Sequence, residues 1–197
     1  MDPMQLLDTA QTRAGTVIAL VRPEHLSRPT PCVGWDVRTC LNKLVTSTRF
    51  WVVSLNEGRR DPFLDLGAPP DLIGSDAVRA YGDAAQACRA AFTDTTVFAR
   101  TMPAPVPDLD LTGEQMLGVR VFDTTVITWD LATSIGAPHG IDDDQAEFAY
   151  QVAQIVIPLV STAPDRQRFQ PGPAELAGRP IDRLIAYTGR DPHWAGA

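Results

Sequence analysis

"TGEQMLGVRVFDTTVITWDLATSIG", residues 112–136, reads as one long helix running from 112 to 135 and stopped by Gly136. Val119, Val121, Phe122, Val126, Ile127, Trp129, Leu131 and Ile135 leave few polar sectors on it. A helix apolar on most sides must be covered on most sides, which places it at the centre of a helical bundle. One face is different. Residues three and four apart stack on a helix, so positions 116, 120, 123, 127, 130 and 134 line up as Met, Arg, Asp, Ile, Asp and Ser. Arg120 stands one turn before Asp123. Either Arg120 satisfies Asp123 or this face reaches solvent, because an unpaired buried carboxylate is too costly to keep.

Helical spacing recurs elsewhere. Residues 4–21 carry Leu6, Leu7, Ala10, Ala14, Val17, Ile18 and Val21 on one side. Residues 36–56 start at a good N-cap, Asp36, with a stripe of Val37, Leu41, Leu44, Val45, Val52 and Leu55 that includes Thr48. Residues 75–92, capped by Ser75 or Asp76, turn Val78, Tyr81, Ala85, Cys88 and Phe92 inward, and residues 143–160 form a fifth helix. A last helical turn lies within residues 181–194. Pro- and Gly-rich connections separate these elements: 22–35, 57–74, 93–111 and 161–180. The β-favouring residues 95–98 suggest a short extended piece. No internal repeat and no linker divides the chain, so the expectation is an all-α bundle formed as one domain over residues 1–197.

Composition narrows the function. The net charge of −7 disfavours nucleic acid and anionic membrane surfaces as partners. No run approaches the ~20 apolar residues of a membrane span, and the N-terminus lacks the basic and apolar regions of a signal peptide. Cys32, Cys40 and Cys88 are odd in number and form no C-x-x-C or Cys/His cluster, which suggests reduced, buried thiols in a cytoplasmic protein. His25, His139 and His193 fall in or beside loops, where a lone histidine is ordinarily solvated. There is no phosphate-binding glycine loop and no nucleophilic serine elbow.

Lys43 is the exception in the basic residues: of 17 Lys plus Arg, 16 are Arg and one is this lysine. It lies off the centre of its helix's apolar stripe, between Cys40 and Ser47, and periodicity alone makes it an ordinary half-exposed lysine.

Two segments carry a family resemblance. "TPCVGWDVRTCLNKLV", from residue 30, resembles the T-P-C-x-G-W-x-V-R-x-L-x-x-H-L-V segment of DinB-like proteins related to mycothiol-dependent maleylpyruvate isomerase. "VFDTTVITWDLATSIG", from residue 121, resembles their second segment, an acidic residue followed after three residues by H-x-W-D-L-A-x-x-x-G. The opening "MDPMQLLDTA" and the ending "DRLIAYTGRDPHW" are similar too. The resemblance implies a DinB-like four-helix bundle with long crossover connections and extra C-terminal helical segments. It also implies a divalent metal held by one histidine of the first segment and by the acid and histidine of the second. That metal would bind a small thiol as thiolate for addition to an electrophile.

At those three positions this chain has Lys43, Asp123 and Ile127. The expectation is that the fold is kept and that no metal or other cofactor is used. Lys43, set opposite Asp123, then either places its ammonium at the former metal position or remains a solvated lysine. Two functions follow from this. One is a metal-independent enzyme acting on a small electrophilic metabolite or natural-product intermediate. In it Lys43 and Asp123 are catalytic, and Ser47, Arg120, Ile127 and Asp130 contact the substrate. The other is a non-catalytic relative that binds a small molecule or a protein. Metal binding through His25 or His139 is a third, weaker reading.

Overall fold

The computed structural model describes residues 2–105, 108–160 and 178–195. The helices are α1 (Pro3–Ile18), α2 (Val37–Glu57), α3 (Ala77–Ala91), α4 (Gly113–Ile135), α5 (Asp143–Val160) and α6 (Pro180–Tyr187). α1 and α2 each pack against both α3 and α4, which closes a ring of four helices. α5 lies on the outer side of α4, and α6 packs on α5. The chain is therefore all-α in character, with the bundle and the extra C-terminal helices expected from the sequence. The Pro-rich stretch 161–177 lies outside the described residues.

α4 is central because it serves two cores. Ile127, Leu131 and Ala132 face α1, α2 and α3, while Phe122, Val126 and Trp129 face Ala146, Ala149, Ala153 and Ile157 of α5 and Ile181, Leu184 and Ile185 of α6. Small residues on α5 allow the close approach. A Cβ on Gly118 of α4 would already lie 3.3 Å from Val152. The ends of α4 are built locally. Thr112 and Gln115 form a capping box, and Gly136 closes the helix at φ 69.

Several expectations change. α1 ends at Ile18 rather than Val21: the amides of Leu20 and Val21 turn to the carbonyls of Val17 and Ile18, a tightening that precedes Pro23. Val78 is 53% exposed, because Ala84 and Ala85 supply α3's inward face beside Tyr81 and Cys88. Asp76, not Ser75, is the cap of α3. Residues 95–98 belong to a 3-10 helix, Thr95–Ala99, in which Asp94 caps Thr96. The extended structure lies beyond it, as an antiparallel pair of β1 (Thr101–Pro103) and β2 (Asp110–Thr112). This hairpin packs Met102 and Leu111 onto the core of α1, α2 and α4, and that burial fixes it despite its prolines.

α2 is buried far beyond one stripe: from Cys40 to Trp51 only Arg49 is exposed. One cause is the long loop after it, which lies over the helix. Buried Asn42 accepts hydrogen bonds from the amides of Leu72 and Ile73 (2.7 and 3.0 Å) and donates to Asp71. All three cysteines are free and buried, as expected. His25, expected in solvent, is buried at 3% exposure. Its Nδ1 accepts from the Arg22 amide, which closes the turn after α1 and replaces a water partner.

Candidate functional site

The two segments singled out in the sequence meet at a narrow cleft on one side of α4. α2 contributes Lys43, α4 contributes Asp123, Val126, Ile127 and Asp130, the loop before α2 contributes Cys32 and Trp35, and the chain's last segment contributes Arg190. About 20 Å³ of it is open to the centre of a water molecule, enough for one or two waters. Lys43 is 5% exposed, not half-exposed. The correction has a physical cause: α2 is enclosed on nearly every side by α3, α4 and its own loops, so position 43 has no solvent face.

Arg120 organises the region behind the cleft. It is 1% exposed and donates through Nη1 to Asp123 (3.0 Å) and to Ser47 of α2 (2.9 Å), and through Nη2 to Thr124. Of the two readings of its face, the pairing of Arg120 with Asp123 is the one found. Arg120 Nε has no partner among the described residues, and the same holds for the buried hydroxyls of Thr46 and Tyr81. Ser47 and Arg120 thus stand one layer behind the cleft and reach it through Asp123.

Asp130 is 1% exposed and takes two hydrogen bonds from Arg190, 2.7 and 2.8 Å. Burial pushes its carboxyl up and outweighs the opposing charge and hydrogen bonds of Arg190. Burial likewise works against the charged guanidinium, but Asp130 overrides it and Arg190 holds its proton more firmly than usual. The geometry is that of a two-pronged salt bridge, with the fork of arginine meeting both carboxylate oxygens. Cys40 lies close enough for Asp130 to add to the effect of burial. Its thiol is pushed well up, against the opposing hydrogen bond with Thr30, and is a poor nucleophile.

Four of the six residues singled out line the cleft: Lys43, Asp123, Ile127 and Asp130. Arg190 was not among the site residues expected from the sequence, although it stands in the family-like ending "DRLIAYTGRDPHW". Its only local signal is Gly189, at φ 81 after α6, which turns the chain back, and nothing in that signal names Asp130 as the target. His25 and His139 do not line the cleft. Among the described residues no three His, Cys, Asp or Glu gather as a group able to hold a metal ion. None of the described helices is long and apolar enough to cross a membrane.

Residues 7–132 match the sequence model of the family described as mycothiol maleylpyruvate isomerase N-terminal domain. Two uncharacterized proteins of Mycobacterium tuberculosis, MT0763 of strain CDC 1551 / Oshkosh and Rv0738 of strain ATCC 25618 / H37Rv, are each 23% identical over 190 residues, covering 96% of this chain and 98% of the relative. No solved structure matches the chain significantly.

Proposed function

The chain belongs to the mycothiol maleylpyruvate isomerase N-terminal domain family, and we propose that it works there without a metal, as an enzyme on a small electrophilic metabolite or natural-product intermediate. The observation that carries this reading is the burial of the lone lysine in a cleft shared with Asp123 and Ile127. By the sequence resemblance these are the three metal positions. An ammonium repels a dication, and the side chain of Ile127 has no lone pair. Asp123 alone remains as a donor, and its carboxylate already accepts from Arg120. Such a set does not fit a catalytic metal site, which draws on about three protein ligands.

In this reading Lys43 supplies the positive charge of the cleft. A compact ammonium on a flexible stem suits that task. A desolvated amine beside a carboxylate can serve as acid and base, or as a nucleophile toward a carbonyl carbon. The chemistry is isomerase- or transferase-like. Arg120, braced by Ser47, holds Asp123 in place, Ile127 provides an apolar wall, and Asp130 meets the ligand together with Arg190. The narrowness of the cleft favours a second reading, a non-catalytic relative that binds a small molecule or a protein.

Elemental analysis of the dialysed protein tests the first step. No stoichiometric zinc, nickel or manganese is expected; tightly held stoichiometric metal that disappears in Asp123→Ala overturns the proposal. The double change Lys43→His with Ile127→His is expected to create metal affinity, incompletely, because outer partners also orient ligands. A thermal-shift screen with thiols and unsaturated carbonyl compounds, followed by turnover assays, separates the two readings. Stabilisation without turnover supports the second.

A further inference from the structure

A larger hollow lies at the C-terminal end of α4. It is lined by Arg28, Pro29, the last turn of the helix at residues 133–136, Trp194 and Ala195. Its volume is about 360 Å³, within the range of small-molecule pockets. The Lys43 cleft, at about 20 Å³ for water centres, is far smaller. None of the proposed catalytic residues lines the hollow.

Its lining combines opposite electrical characters. The Arg28 side chain is exposed and makes no hydrogen bond or ion pair among the described residues. Its backbone is fixed, with its amide on the His25 carbonyl (2.9 Å) and its carbonyl accepting from Val37 (3.0 Å). The guanidinium is thus a cation on a rigid base. The last turn of α4 is the negative end of a helix Gly113–Ile135. The amides of Gly136 and Ala137 return to the carbonyls of Ala132 and Thr133. The amide that would serve the Ser134 carbonyl belongs to Pro138, which has no N–H. The Ser134 hydroxyl donates to the Asp130 carbonyl (2.7 Å) and keeps lone pairs to accept with. Trp194 is half-buried on the α5 and α6 core, its amide held by Asp191, and offers an aromatic surface.

We propose that this pocket binds a free α-amino acid with an aromatic or apolar side chain. A zwitterion matches this lining: its carboxylate pairs with Arg28, its ammonium meets the acceptors at the end of α4, and its side chain lies along Trp194. A purely anionic ligand would meet the helix's negative end unrelieved. A purely cationic one would face Arg28.

The test uses the full chain with L-phenylalanine as probe, observed by amide and indole NMR. Millimolar L-phenylalanine is expected to shift the Gly136 amide and the Trp194 indole saturably. 3-Phenylpropanoate, which lacks the ammonium, and phenethylamine, which lacks the carboxylate, are each expected to bind about tenfold or more weakly. Arg28→Gln, an exposed change, should weaken L-phenylalanine by a similar factor, and Trp194→Leu should weaken it as well. Lys43→Met should leave this binding unchanged, so the result stands apart from the fate of the Lys43 cleft. Absence of saturable shifts, equal binding of the one-ended probes, or unchanged affinity in Arg28→Gln overturns the proposal.

Discussion

At the scale of single residues, the energetic question is how a buried lysine is kept. Lys43 and Asp123 share a cleft, and Asp123 is also held by Arg120. If Lys43 serves as the charge partner proposed above, its removal is felt by Asp123. Lys43→Met deletes the charge and keeps the bulk, and Asp123→Asn deletes the other charge. A double-mutant cycle measured by denaturant unfolding is expected to give a coupling above about 0.5 kcal/mol; a coupling near zero removes Lys43 from the partnership. Histidine sets a second residue-level expectation. Burial, then the charges of Arg28 and Arg22, push His25 below its ordinary value, and burial followed by Arg179 does the same to His139. Unfolded, both take up protons near the ordinary histidine value of 6.5, while the folded chain does not until lower pH. The unfolded state therefore binds more protons in the window below 6.5, and stability falls as pH drops through it. His25→Gln is expected to flatten that slope, read as urea midpoints across the window.

At the scale of elements, what the sequence disclosed depended on how locally each feature is specified. α4 was legible because its caps and its nearly continuous apolar surface are written in consecutive residues. The start of α4 also holds a constraint that sequence does not show. A Cβ at Gly113 would stand 2.3 Å from the Val97 carbonyl oxygen, where the 3-10 turn crosses the helix. Gly113→Ala is therefore expected to lose about 1–3 kcal/mol by overpacking against backbone that cannot yield. Thr112→Ala next to it should lose about 1 kcal/mol for the cap alone. Equal or smaller loss in Gly113→Ala, by thermal or denaturant unfolding, contradicts the close approach. The hairpin that follows this turn in space was not legible, because two three-residue strands with a proline at Pro103 carry no alternation long enough to see. Lys43 was misplaced for a related reason. A helix stripe locates the strongest apolar face, but α2 is covered on its weaker faces by partners distant in sequence, including the loop held by Asn42.

At the scale of the whole molecule, the site depends on segments beyond the region matched by the family. That match ends at residue 132, yet Arg190 closes the cleft and pairs with Asp130. Position 130 was readable as one of a polar face, but its partner lies 60 residues away and no periodicity connects them. The pair is 1% and 6% exposed at its side chains, so each charge relies on the other. Breaking such a pair leaves a stranded charge, whereas replacing both members with apolar groups is often neutral. Arg190→Met is accordingly expected to cost about 3–5 kcal/mol. The loss should shrink as pH falls, since the stranded Asp130 can then be protonated and lose its charge. Adding Asp130→Leu to Arg190→Met should restore most of the stability, because neither charge remains. If the double variant is as unstable as Arg190→Met alone, the loss comes from displaced C-terminal packing of Ile181, Leu184 and Ile185 rather than from the charge. Near-UV circular dichroism of Trp129 and Trp194 then distinguishes a shifted segment from a local vacancy. If Arg190→Met costs under about 1 kcal/mol, the pair is solvated in the manner of a surface ion pair, and the C-terminal segment does not seal the cleft.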